Sequence, residues 1–271
     1  SAQTMFFDTG FNQDISGWDV RNLVIARAMF FNTPFDQDIS GWQIDSLNDA
    51  AKMFQGSSFN QDISGWNVSS ITKMKRMFGG TTAFNQDIGI WDMSHSPNIE
   101  GMFESAEAFN QDLNGWDMSS QTSISRMFLG SSYNGDVSQW DTSSLIDMSL
   151  TFFATTNFNN DIGGWDTSNV KNMRMAFRLS KAFNQNISGW DVSSVENMTQ
   201  LFDRAEAFNQ DISSWQIDSV TSFDGGIKTN PNSTNYGFSG GSGLSLTVVN
   251  NICREWGVQL QNRTNGNPVG S

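Results

Sequence analysis

The chain is poor in several residue types that usually anchor a functional argument. Its 271 residues include one cysteine, one histidine, two tyrosines and four prolines, and only 15 Lys and Arg stand against 28 Asp and Glu. A single cysteine excludes an internal disulfide, and one Cys with one His cannot build a zinc site. The formal charge of −13 opposes binding to nucleic acid or to an anionic membrane surface. No apolar run approaches the ~20 residues of a membrane span. The opening SAQTMFFDTG has no basic segment leading into an apolar one, so any export signal or anchor is expected outside this chain. In contrast, there are 10 Trp, 22 Phe and 24 Gly. Length alone, at about 150 residues per domain, would suggest two domains, but so skewed a composition points to one short pattern copied many times.

The copies are explicit. Trp18, Trp42, Trp66, Trp91, Trp116, Trp140, Trp165, Trp190 and Trp215 recur every 24 or 25 residues, and only Trp256 is out of register. Seven residues before each stands an aromatic: Phe11, Phe35, Phe59, Phe84, Phe109, Tyr133, Phe158, Phe183 and Phe208. A further Phe column, Phe6 through Phe202, precedes that one by five or six residues. A unit of this size cannot bury its own apolar face, so the copies must stack into a solenoid.

Within each copy, Q-D-I-S-G-W reads as a strand of about four residues after an aromatic. Stacked strands ~4.8 Å apart would form a parallel ladder roughly 40 Å long. The following V-S-S-V-x-x-M-x-x-M-F places Val68, Ile71, Met74, Met77 and Phe78 at the spacing of a short α- or 3₁₀-helix. The predicted fold is therefore an α/β solenoid: a right-handed, leucine-rich-repeat-like coil of nine 24–25-residue repeats, with a parallel sheet on one face and short helices on the other. The Phe, Trp, Met and Ile columns are assigned to the core, with part of each indole reaching the surface. The Asn column headed by Asn12 is assigned to turn backbone of adjacent coils.

Residues 59–78, FNQDISGWNVSSITKMKRMF, together with the M-x-x-M-F-x-x-A segment, resemble the repeat of BspA-like leucine-rich-repeat surface proteins. The particular likeness is to the variant known as a domain of unknown function in mycoplasma-type surface lipoproteins, and it extends over about residues 1–222. The resemblance implies an extracellular or cell-surface repeat protein, often adhesive, and implies no catalytic residue or cofactor.

Strand alternation turns Ile15 inward and Asp14 and Ser16 outward. The outward stripe repeats through Asp38, Asp62, Asp87, Asp112, Asp136, Asp161 and Asp211, with Asn186 in the eighth copy. Neighbouring carboxylates at this spacing would repel by roughly 1 kcal/mol in water. From the aromatic seven residues before each Trp to the residue after it, no copy contains Lys or Arg; the basic residues cluster in the helical segment. The stripe is the candidate ligand-binding face, comprising Asp38, Asp62, Asp87, Asp112, Asp136, Asp161, Ser138 and Gln139. Its expected partner is a protein or glycan on a cell surface. The competing reading has each Asp accepting backbone N–H bonds at a turn, with the stripe merely solvated. No cofactor is expected, Ca²⁺ recruited by the carboxylates being the minor alternative.

No arrangement of catalytic residues stands out. His95 lies in the irregular MSHSPNIE, the carboxylates are too regular to single out an acid/base pair, and no phosphate loop or Ser/His/Asp set is present. Ice binding would favour uncharged Thr-like rows over Asp. Departures from the repeat at Gly135, Gln139, Asn160, Gly163 and Asn186 suggest a recognition patch in the later copies. Residues 1–222 are read as the solenoid and 223–271 as a Gly-rich connection and C-terminal cap, with Leu246, Val249, Cys253 and Trp256 at helical spacing. The first coil has no comparable cap, so the chain is expected either to be a fragment of a longer protein or to have that end covered by a short N-terminal segment and a neighbouring subunit, through self-association. A non-enzymatic binding or adhesion module is expected, with a structural spacer as the alternative.

Overall fold

A computed structural model describes residues 1–222 and Arg254; the expected cap, including Cys253, lies outside the described residues. Residues 1–222 form stacked coils in register with the repeat, but neither regular helices nor regular strands are present. The expected α/β solenoid of leucine-rich-repeat type, with its parallel sheet and helices, is therefore not the fold. Each coil is a succession of turns and short extended stretches. Each coil makes one parallel bridge to the next, Ile25 to Asp49 to Lys73 to Asn98, then Ser123 to Asp147 to Asn172 to Asn197 to Ser222, and further backbone bonds beside it.

These bridges fall in the middle of the segment expected to be helical, as Lys73 does between Val68 and Phe78. Met77, Gly79 and Thr81 N–H groups bond locally to the carbonyls of Met74, Arg76 and Phe78. The intervening Met74, Arg76, Phe78 and Gly80 N–H groups instead reach the carbonyls of Asn98, Glu100, Met102 and Glu104 in the next coil. A helix would spend all these donors on itself. Alternate donors are freed because Arg76 and Gly80 take positive φ, 53° and 67°. The same pair recurs as Lys52 and Gly56, Arg126 and Gly130, and Met175 and Leu179. A left-handed non-glycine residue costs on the order of 1 kcal/mol, which the second set of backbone bonds offsets. Linked i→i+3 turns place apolar side chains every three residues, much as a short helix does.

The segment expected to form the sheet is extended, yet its coils are joined mainly by side chains. Asn12 Oδ1 accepts the Asp36 N–H, Asp36 Oδ1 that of Asn60, and Asn60 Oδ1 that of Asn85, continuing to Asn209. Each indole from Trp42 to Trp215 donates through Nε1 to the aliphatic carbonyl of the preceding coil, as Trp116 does to Ile88 at 2.8 Å. Side chains thus occupy positions where a sheet would place backbone pairs. Between the Asn and Trp columns, one backbone bond links coils, from Leu113 N–H to the Asp136 carbonyl at 2.9 Å.

The aromatic columns form the core. Within a coil the two rings stack face to face, as Phe103 and Phe109 do at 3.9 Å; between coils the first column repeats at 5.5–5.9 Å. Contrary to the partly exposed indoles expected, every Trp from Trp42 to Trp215 is buried, and among the described tryptophans only Trp18 in the first coil is exposed. Tyr133 buries a hydroxyl with no partner, a cost that the phenylalanines of its column avoid. Ion pairs bridge coils along the turn ladder: buried Asp49 meets Arg27 at 2.6 Å, and Glu104 sits between Arg76 and Arg126.

Candidate ligand-binding face

The Asp residues of the stripe stand beside the buried aliphatic column, one per coil, with Asp38, Asp62, Asp87, Asp112 and Asp161 exposed and Asp136 half-buried. Their local geometry is set by their own turns. Oδ1 of Asp38 accepts the Ser40 N–H at 2.9 Å, Asp62 that of Ser64 at 2.8 Å, and Asp136 that of Ser138 at 2.9 Å. Asp87 and Asp161 hold Gly89 and Gly163 in the same way. Asp112 differs, since its Oδ1 accepts the N–H of Asp136 in the next coil at 2.8 Å. Gln139 is held through its N–H by Asn114 Oδ1, and its Nε2 donates to Ser138 Oγ.

The Ser40 N–H bond is the main reason that the Asp38 carboxyl lies below the usual 3.8, and the charges of Asp14 and Asp62 act against it more weakly. Asp14, Asp62 and Asp136 are lowered for the same principal reason. The turn bond therefore outweighs repulsion between neighbouring carboxylates. A lowered folded-state value contributes stability that is present above the unfolded value and lost as pH falls through the folded one. The melting temperature should hold steady down to about pH 5 and fall below about pH 4, as followed by circular dichroism. A melting temperature that rises on acidification through that range would mean that repulsion dominates.

A second acidic column escaped the sequence reading. Asp92, Asp117, Asp141, Asp166 and Asp191 follow their tryptophans and bind the N–H of the Ser two residues on. The signal was the recurring W-D-x-S. Asp19 heads this column, and its hydrogen bonds with Arg21 bring its carboxyl down to about 2.

The departures from the repeat have structural partners. Asn160 Nδ2 binds the carbonyls of Asn134 and Gly135, and Asn186 holds the Ser188 N–H as the aspartates do. A Cβ on Gly163 would lie 2.5 Å from the Asn186 carbonyl oxygen. Among the described residues, no three His, Cys, Asp or Glu side chains come together where they could hold a metal ion. No helix among them is long and apolar enough to cross a membrane.

Stacked coils of one repeated unit, joined by turn backbone and side-chain ladders, define a solenoid repeat protein. The chain matches the family described as Mycoplasma protein of unknown function, DUF285, over residues 1–58, 35–134 and 122–236, and it belongs to that family. Neither a curated protein nor a solved structure matches it.

Proposed function

We propose that the chain is a non-enzymatic binding or adhesion module, extracellular or displayed on a cell surface and akin to BspA-like surface proteins. Its ligand is a protein or glycan on another surface, met through the Asp-bearing face, and no cofactor takes part. The observation that carries this reading is the division of charge. Arg and Lys of the described coils concentrate on the turn ladder, where several pair with acids of adjacent coils, whereas the Asp stripe runs the length of the stack without a basic residue. Such a one-sign surface favours a basic partner through steering and complementarity.

The alternative, a spacer without a ligand of its own, draws support from the use of most stripe carboxylates in their own turns. Substituting Asp62, Asp87, Asp136 and Asp161 by Asn tests the two readings. The fold should tolerate this change, because Asn186 already fills the same turn role in the eighth coil. Screened against glycans and surface proteins, the parent is expected to bind and the substituted protein to lose about tenfold or more in affinity. Equal binding by both would exclude the acidic face, and absence of binding by the parent would favour the spacer.

A further inference from the structure

The backbone ladder has one fault among the described coils, and it coincides with a cleft. At the residue before each bridge position, a carbonyl accepts N–H groups from the next coil. Val24 accepts from Asn48 and Asp49, Asn48 from Thr72 and Lys73, Thr122 from Ile146 and Asp147, and Ile146 from Lys171 and Asn172. The Pro97 carbonyl should accept from Thr122 and Ser123, but no such bond forms, and the Asn98–Ser123 bridge is missing from an otherwise continuous series. Ile99 N–H also fails to reach the Ser123 carbonyl, which takes a bond from Gln121 Nε2 at 2.7 Å instead.

The cause can be seen in the sequence of two adjacent coils. The apolar column Leu23, Leu47, Ile71, Leu145, Val170, Val195 and Val220 is broken by Ser96 and Gln121. These two side chains bond to each other at 3.1 Å, Ser96 Oγ also reaches the Ser120 carbonyl, and Ser96 sits at φ 52°. Pro97 removes one further inter-coil donor. Beside the fault, His95 Nε2 lies 2.8 Å from the Ile71 carbonyl, leaving Nδ1 buried and without a partner.

A cleft of about 330 Å³ opens between these coils, lined by Thr72, Ser96, Pro97, Asn98, Glu100, Gln121, Thr122 and Ser123. That volume lies at the small end of ligand sites. Its walls carry hydroxyls, amides and the freed backbone groups, with no aromatic ring. The sole charged group, Glu100, is paired with Lys75 at 2.7 Å. A neutral ligand suits these walls better than an anion or an apolar group. The freed Thr122 and Ser123 donors and the Pro97 acceptor are the two halves of a missing peptide pairing, which an amide can complete from both sides.

We propose that this cleft is a second binding site, separate from the Asp stripe, that takes the acetamido group of a neutral N-acetylated sugar, with neighbouring hydroxyls meeting the Ser and Thr side chains. The amide carbonyl accepts from Thr122 or Ser123 N–H, and the amide N–H donates to the Pro97 carbonyl.

The test is an NMR titration of backbone amides with N-acetylglucosamine, N-acetylgalactosamine, glucose and N-acetylglycinamide. Saturable shifts of Thr122 and Ser123 are expected with an acetamido sugar, with affinity about tenfold weaker for glucose. The combined S96I, P97T and Q121L variant restores the residue types of neighbouring coils; closing the cleft should abolish those shifts. If neither acetamido sugar moves the two amides, the proposal is overturned. If N-acetylglycinamide binds as tightly as the sugars, the site reads peptide amides and the sugar assignment falls. Acetamido-sugar binding that is lost in the stripe variant but unchanged in the cleft variant would place the sugar on the Asp face and remove the cleft.

Discussion

Replacing Phe103 with alanine is expected to cost about 3–5 kcal/mol, the range for emptying a buried aromatic site. Phe103 is fully buried, stacks on Phe109 at 3.9 Å, and touches Phe78, Phe128 and Trp116 at 5.8, 5.9 and 6.3 Å. In a globular core, neighbouring side chains can sometimes collapse into such a hole. Here the rings above and below are held in register by backbone bonds on both sides, Phe78 to Met102 and Phe103 to Met127, so collapse is resisted. The cavity would also fall near the middle of the stack. Because each coil contacts only its neighbours, a weakened interface there should divide one cooperative unit into two. Urea unfolding followed by tryptophan fluorescence and by circular dichroism should give coincident transitions for the parent and separated ones for F103A. A loss under about 1 kcal/mol with a single transition would mean that the stack relaxes freely.

Changing Gly135 to alanine is the second large effect expected, at about 1–3 kcal/mol and above that if the backbone cannot shift. The added Cβ would lie 2.3 Å from the Gln111 carbonyl oxygen, 2.9 Å from its carbon and 2.8 Å from Tyr133 Cε2. Two of the three obstacles are backbone atoms. Coils five and six cannot easily part, since the Leu113 N–H bond to Asp136 and the Asp136 N–H bond to Asp112 clamp them there. The repeat itself argues the opposite way. Most other copies have Gln at this position, so a consensus substitution to Gln would look favourable, whereas the structure predicts that it destabilises. Gly189, which has nothing near its missing Cβ, provides the control, and its alanine variant should change stability by less than about 0.5 kcal/mol. Denaturation midpoints for the two variants decide the matter; equal values would show that the close approach at Gly135 is not a real constraint.

These two positions differ in how much of their role could be read without a structure. Phe103 was legible because the period of 24–25 residues aligns it with eight other phenylalanines, and identical rings at identical positions bury their faces only by stacking. The same logic identified the Asn column as a side-chain ladder and placed Asp38 to Asp161 on one outward line. It could not choose between an Asp that waits for a ligand and one that holds its own turn, because both need an exposed carboxylate two residues before a small residue. The hydrogen bonds to Ser40, Ser64 and Ser138 show the turn role directly.

Apolar spacing determined the stacking of coils, the membership of the core and the separation of charge by face. Tertiary structure decided the backbone. Val68, Ile71, Met74 and Met77 suit a helix and a chain of turns equally well, because both bring every third side chain to one side. The difference lies in the sign of φ at residues such as Arg76, which their side chains do not announce, and that sign directs alternate N–H groups to the next coil. The fault at Pro97 likewise emerges only when the bonds of every other coil are known, since a missing pair is visible only against a ladder that is otherwise complete.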